Sequence, residues 1–220
     1  MICNRFQRRS LLRMLALFLL APMLHAAPGP TTITYRRVFH GSTPEFIEIK
    51  ITEPGKATFD IRQLEDDADP QIFEVGAPVR QKIIELAHDL KNFDINGLDI
   101  QKKIANLGEK TFRYEQGSEV HETSFNYTLN ASASQLMQIF EGLAKQEGDL
   151  TLLVRSVKYD RLGVNDALRQ FESDLDHRLL PEPERLLAVL DQIAADSHFV
   201  DIARTRARAL AERIRTSRPN

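Results

Sequence analysis

The residues of this chain that most suggest a metal-dependent reaction are His121 and Glu122, which read like the start of a zinc-protease motif. In that motif a second His follows four residues after the first, on one face of a helix, so that both imidazoles bind the same ion. Phe125 stands at that position, and the segment has the alternation of a strand. We therefore do not expect zinc here.

Two oxygen-rich segments raise the question of calcium. The first contains Asp66, Asp67 and Asp69, and the second contains Asp94, Asn96 and Asp99. In the first segment no Gly stands at the turn position and no bidentate Glu closes a twelve-residue calcium loop, and in the second the Gly is wrongly placed. We expect both segments to be solvated loops, with a calcium-dependent binding module as the alternative.

The common catalytic motifs are missing from the sequence: it has no glycine-rich phosphate loop, no nucleophile elbow and no Ser-x-x-Lys. The histidines beyond residue 26 share no metal-ligand spacing: they are His40, His88, His121, His177 and His198. With 31 acidic residues, two carboxylates could still meet as a hydrolytic pair, but no spacing identifies one. The sequence thus nominates no catalytic, cofactor-binding or metal-ligating residue and favours a non-enzymatic protein, with an envelope hydrolase as the alternative.

Residues 1–26 have the pattern of a secretory signal peptide. Four Arg precede an uncharged, leucine-rich run from Met14 to Leu24, and small residues follow at Ala26 and Ala27, so cleavage is expected after one of these two. An uncleaved membrane anchor is the alternative, although Pro22 interrupts the run short of the roughly 20 residues that a span requires. We expect an exported protein, periplasmic or secreted, using either the general or the twin-arginine route.

Cleavage at that point would change both charge and chemistry. It would remove four Arg and no acidic residue, leaving 25 basic and 31 acidic residues, a net charge of −6. It would also remove Cys3, the only cysteine. The mature chain would therefore contain no disulfide and no thiol, and it would depend on core burial for its stability.

The chain from residue 27 to 149 predicts an α+β domain built on two hairpin–helix units. In the segment 46–52 the isoleucines alternate with Glu48 and Lys50, and a second alternating strand follows the turn at 53–56. A helix with one apolar stripe then runs from Val79 to Phe93. We also expect a first strand at 34–39.

The second unit repeats this order with a different sequence. Strands are predicted around 112–114 and at 125–129, on either side of a turn at 116–118, and Ser132 or Ser134 is expected to cap the helix that follows. We therefore predict an antiparallel sheet of four to five strands with helices on one face.

The remaining residues, 150–220, predict a helical module packed on that domain. Helices are expected at 164–179, after Pro183 and through the last twenty residues. Residues 201–220 contain six Arg and two acids, a net charge of +4. These arginines either pair with acids elsewhere in the protein or form a docking patch for an acidic envelope protein or anionic lipid. The acidic balance of the rest argues against nucleic acid.

The segment 41–93 contains Gly41, Pro44, the Pro54-Gly55 turn and a helix that ends in Asn92-Phe93. This arrangement resembles a domain-of-unknown-function family of exported bacterial proteins, in which Gly-x-Cys-Pro-x-Tyr precedes a strand, a glycine turn, a strand and a helix. Thr43 stands where that family has Cys, and Phe46 where it has Tyr. The resemblance implies the hairpin–helix arrangement and no particular activity. Together these observations predict a protein-binding or structural module of the cell envelope.

Overall fold

The structure, a computed structural model, describes residues 29–100 and 102–217. The predicted signal peptide, its cleavage site, Cys3 and Arg218 lie outside these residues. No helix within the described ranges is long and apolar enough to cross a membrane.

The fold is α+β, with one antiparallel sheet of six strands in the order β4-β3-β2-β1-β5-β6. The strands are β1 (Thr32–Val38), β2 (Phe46–Thr52), β3 (Lys56–Arg62), β4 (Gln71–Glu74), β5 (Glu109–Gln116) and β6 (Glu119–Phe125). The first strand pairs with both β2 and β5, so it joins the two predicted hairpins into a single sheet.

The prediction of four to five strands is wrong by at least one, because β4 was not recognised. This strand has four residues, and Phe73 is the one side chain among them that is buried. Ile72 is 82 % exposed, so this apolar side chain points to solvent and not to the core. A strand this short at the sheet edge carries too little alternation to be detected.

Two local predictions in the second unit also need correction. The last strand spans 119–125 and not 125–129, because Phe125 is its final inward residue and Leu129 is 73 % exposed. Asn130, rather than Ser132 or Ser134, caps the following helix, since its side-chain oxygen accepts a hydrogen bond from the Ala133 amide at 3.0 Å.

The part of the chain that the structure describes contains five α-helices. They are α1 (Ala77–Asp89), α2 (Ala131–Tyr159), α3 (Val164–Asp176), α4 (Leu187–Ala195) and α5 (Asp201–Thr216). A 3-10 turn at Lys91–Phe93 follows α1, and another at Pro183–Leu186 leads into α4. The predicted C-terminal helices are therefore present.

The long helix α2 connects two hydrophobic cores. Its first half, with Leu136 and Phe140, packs with α1 on the inward face of the sheet. Its second half, with Leu153, packs against α3, α4 and α5. Because α2 runs without interruption through residue 149, one helix contributes to both cores. Neither α1 nor α2 covers the outward face of the sheet.

Candidate functional site

The outward face of the sheet carries two rows of polar side chains, and each row crosses the four neighbouring strands β2, β1, β5 and β6. In one row Lys50, Thr34, Arg113 and Glu122 are successive cross-strand neighbours on β2, β1, β5 and β6. Glu48, Arg36, Thr111 and Ser124 form the adjacent row in the same way. Strands lie about 4.8 Å apart, so each row brings charged groups from distant parts of the chain within reach of one ligand.

These rows line a shallow trough of about 290 Å³. We call it the open-face trough, and its lining residues are Thr34, Arg36, Glu48, Lys50, Thr111, Arg113, Glu115 and Glu122. The threonines at its floor are buried under the longer charged side chains around them, with Thr111 only 3 % exposed. The trough therefore has a firm floor formed by the sheet and walls formed by flexible charged groups.

One arginine of the open-face trough is neutralised by its neighbours. Arg113 donates hydrogen bonds to Glu115 at 3.0 Å and to Glu122 at 3.3 Å. Its hydrogen bond lowers the pKa of the Glu115 carboxyl, and the same two carboxylates raise the pKa of the Arg113 guanidinium. This half of the trough is thus already satisfied in the free protein.

The other half of the open-face trough has charged groups without partners. Among the described residues, Arg36 and Lys50 form no ion pair and no side-chain hydrogen bond, and neither does Glu48. The charge of Lys50 nevertheless helps to lower the pKa of Glu115, so it lies close to that carboxylate. Two cations in this half are therefore available to an incoming group.

A second, smaller cavity of about 190 Å³ lies on the inward side, between the end of α1 and the start of β1. Ile33 and Ile84 contribute to its apolar wall. Three of its polar groups are linked to one another, because the Tyr114 hydroxyl donates to Gln116, and the Gln116 amide donates to Thr31. The Asn92 side-chain oxygen, which also lines it, is buried and accepts no hydrogen bond from the described residues.

Two carboxyl groups meet where α2 packs against α3. Asp149 of α2 and Asp174 of α3 are 7 % and 3 % exposed. Lys145 lies 3.1 Å from Asp174, and Gln170 donates to the same carboxylate at 2.9 Å. Burial, together with the charge of Asp174, raises the pKa of Asp149 to about 7. Asp149 therefore binds its proton more tightly than a solvated carboxyl does, yet neither it nor Asp174 lines either of the two cavities.

A buried polar network fastens the helical module to the edge of the sheet. Arg185 pairs with the buried Glu147 of α2 at 2.9 Å and donates to the Glu74 carbonyl at 2.7 Å. Glu182 accepts a hydrogen bond from the Gly76 amide at 2.7 Å, and burial raises the pKa of its carboxyl. The charged groups buried at this junction therefore have partners within the protein, and their role is structural.

The candidate metal residues of the sequence do not assemble into a site. His121 pairs with Glu119 at 3.0 Å, whereas Glu122 points to the other face of β6 and binds Arg113. Asp66 accepts from the Gln63 amide, and Asp99 accepts from two successive backbone amides. Within residues 29–100 and 102–217, no three His, Cys, Asp or Glu side chains lie close enough together to bind a metal ion.

The arginines of α5 make contacts within the helical module. Arg206 binds Glu172 and Asn165, Arg213 binds Glu172 and Asp176, and Arg215 binds Asp191 at 2.6 Å. Arg204 pairs with Asp201 one turn earlier, and Arg208 donates to a carbonyl at the end of α4. Much of the positive charge of this helix is therefore balanced by acids of α3 and α4.

Some residues of the open-face trough can be predicted from the sequence. Glu48, Lys50 and Arg113 are the polar members of alternating strands, which places them on an outward face. Arg36 carried no such signal, because Arg36 and Arg37 follow each other at the end of an apolar strand. Asp149 and Asp174 lie 25 positions apart on different helices, and no spacing rule relates them.

No protein-family model matches the chain, and no curated protein matches it either.

Proposed function

We propose that this protein is a non-enzymatic, exported binding module, and that it holds a segment of another envelope protein against the open-face trough. The observation that carries the proposal is the pair of cations, Arg36 and Lys50, which have no partner among the described residues and lie on a sheet face that neither α1 nor α2 covers. A carboxylate of the partner would satisfy both at once, and a guanidinium is well suited to bidentate contact with a carboxylate.

The shape and lining of the trough favour a protein partner over a small molecule. Small-molecule sites are usually deep and mainly apolar, with a few polar groups that orient the ligand. The open-face trough is shallow, and three cations and three carboxylates line it. Interspersed charges of both signs suit a polypeptide that presents both signs, and they do not suit nucleic acid, which requires a positive surface.

Export rests on the signal-like pattern of residues 1–26, which the described residues do not include. The weak likeness of segment 41–93 to a family of exported bacterial proteins is consistent with the same location. Both supports come from the sequence alone, and fractionation of cells that express the full chain tests them independently of binding.

The arginine-rich helix remains the second surface through which such a partner could dock. Deleting α5 is a poor test, because Ala203, Leu210 and Ile214 belong to the second core. A substitution such as Arg208→Gln changes an exposed cation and leaves the packed face of the helix intact.

The alternative of an envelope hydrolase has one candidate pair among the described residues, Asp149 and Asp174, of which Asp149 has the raised pKa that an acid catalyst needs. Both are buried in the packed helical module, away from the two cavities, so a substrate has no described route to them. The calcium alternative predicts a chelator-sensitive thermal melt, and an unchanged melt would end it.

The experiment for the proposed function is affinity capture from an envelope fraction, with residues 29–220 as bait and with matched charge variants. We expect Arg36→Gln/Lys50→Gln to weaken recovery of a specific protein by about tenfold or more, because truncated arginine anchors typically cost over 1 kcal/mol. Lys102→Gln/Lys103→Gln, which removes two exposed cations elsewhere, is the control. Equal recovery with both double variants would refute the proposal.

A further inference from the structure

The end of α2 and the turn after it form an exposed segment that combines apolar and basic side chains. We call residues 151–162 the α2 tip. Its inner side is fixed by Leu153, which belongs to the second core, and by Ser156. Most of the other side chains in the segment are exposed. The tip is thus a protruding part of a packed helical module.

The apolar residues of the α2 tip are unusually accessible. Tyr159 is 71 % exposed, and Leu162, in the turn, is 85 % exposed. Leu152 and Val154, on the preceding turns of the helix, are 44 % and 50 % exposed. Single exposed apolar residues are common, but Leu152 and Tyr159, seven positions apart, lie on the same side of the helix, with Leu162 in the turn beyond, and such a group marks an interaction surface.

Three cations lie among these apolar groups. Arg155, Lys158 and Arg161 are exposed, and none of them forms an ion pair within the described part of the chain. Lys158 lies over the Tyr159 ring, 4.8 Å from its centre. The one acid of the segment, Asp160, accepts a hydrogen bond from the Gly163 amide at 3.0 Å. The charge that the α2 tip presents outward is therefore positive.

The start of α5 extends the same end of the module. Arg206 contacts Asn165 near the start of α3, and Arg213 contacts Asp176 at its end, so α5 runs alongside α3 in the same direction. Ile202, in the first turn of α5, is 59 % exposed. Of the acids at this end, Asp201 pairs with Arg204 and Asp166 with Arg169. Asp196 hydrogen-bonds to His198, and besides these hydrogen bonds the charge of Arg161 helps to lower the pKa of its carboxyl.

We infer that the α2 tip is a peripheral docking site for a bilayer that contains anionic phospholipid. Unpaired cations attract the negatively charged headgroups, while tyrosine and leucine insert at the boundary between headgroups and acyl chains. No described helix spans a membrane, so the contact is interfacial. It involves other residues than the open-face trough and does not depend on the proposed function.

The test is co-sedimentation of residues 29–220 with large vesicles. This fragment omits the apolar run at 14–24, which would bind lipid by itself, and it contains every residue of both cores. Vesicles of equal parts phosphatidylglycerol and phosphatidylcholine should sediment the protein at about 0.1 M NaCl, and vesicles of phosphatidylcholine alone should not. About 0.5 M NaCl should weaken the binding, because salt screens surface charge.

Two matched pairs of variants locate the contact. Arg155→Gln/Lys158→Gln should lower the partition by about 25-fold, since each cation near an anionic surface contributes about fivefold, and Lys102→Gln/Lys103→Gln should leave it unchanged. Tyr159→Ser/Leu162→Ser should lower it by about tenfold or more, whereas Ile72→Ser/Leu129→Ser, at equally exposed apolar positions elsewhere, should not. A thermal melt of each variant verifies that it is folded.

Failure to sediment with phosphatidylglycerol vesicles would overturn the inference. Equal losses in the tip variants and their controls would overturn it as well, because binding would then not involve the α2 tip. If the tip variants lose a protein partner in affinity capture while no variant binds vesicles, the surface serves a protein and the lipid assignment is wrong.

Discussion

Replacing Asp149 with Asn should stabilise the protein at alkaline pH and matter much less in mild acid. In the folded protein Asp149 is buried against Asp174, and burial followed by the charge of Asp174 raises its pKa from 3.8 to about 7. A carboxyl whose pKa is higher in the folded state binds its proton more tightly there than in the unfolded chain. Stability is then highest below the unfolded pKa and is lost as the pH rises through the folded pKa.

The size of the effect follows from the interval between the two pKa values. One unit corresponds to about 1.36 kcal/mol, so the full deficit above the folded pKa is at most about 4 kcal/mol. Between about pH 5 and about pH 8 the protein should lose about 2 to 3 kcal/mol of this contribution. The Asn side chain has no charge to desolvate and can donate its amide hydrogen to Asp174, as the protonated carboxyl does. The variant should therefore lack this pH-dependent loss.

The assay is urea unfolding of residues 29–220 near pH 5 and near pH 8, with Asp67→Asn as the control. Asp67 is exposed in the acidic loop, and its side chain makes no hydrogen bond or ion pair with the described residues. We expect Asp149→Asn to gain about 2 to 3 kcal/mol more near pH 8 than near pH 5, and the control to show no such difference. A gain that is equal at both pH values, or a loss that grows with pH, would refute the reasoning.

Two further predictions concern α2, and unfolding measurements on the same fragment test both. Gly142→Ala should destabilise the protein by about 1 to 3 kcal/mol, because the added carbon would lie 2.5 Å from the Leu179 carbonyl oxygen. Gly148→Ala, where the added carbon meets nothing within 4 Å, should instead stabilise the helix by up to about 1 kcal/mol. Asn130→Ala should cost about 1 kcal/mol through loss of the N-terminal cap, and Ser134→Ala should cost nothing. Losses that are equal within either pair would contradict the packing or the capping described here.

Local patterns in the sequence predicted those elements whose side chains alternate cleanly. The β2–β3 hairpin and α1 fall where the isoleucines of 46–52 and the stripe from Val79 indicated. The predicted bounds of β6 were wrong. Its inward positions include His121 and Thr123, and because these residues are polar the strand has no alternating apolar pattern. Short-range periodicity records which face is apolar and cannot record an inward face that is polar.

The candidate site depends on long-range pairing, which periodicity does not specify. Lys50 lies beside Thr34, and Thr34 beside Arg113, because β1 lies between β2 and β5. The sequence predicts a first strand but not the strands that pair with it, so it does not identify the cross-strand neighbours of Arg36. The same limitation applies to Asp149 and Asp174, which meet through the packing of α2 against α3.

The most direct test of the binding account is site-specific photocrosslinking in the cell envelope. A photoreactive residue at Thr58, the cross-strand neighbour of Lys50 on the outward face, should form one crosslink to a protein partner. Arg36→Gln/Lys50→Gln should abolish that product, and a probe at Lys103 should not form it. A Thr58 probe that captures nothing, or a crosslink that survives loss of both cations, would contradict the claim that the open-face trough binds a protein.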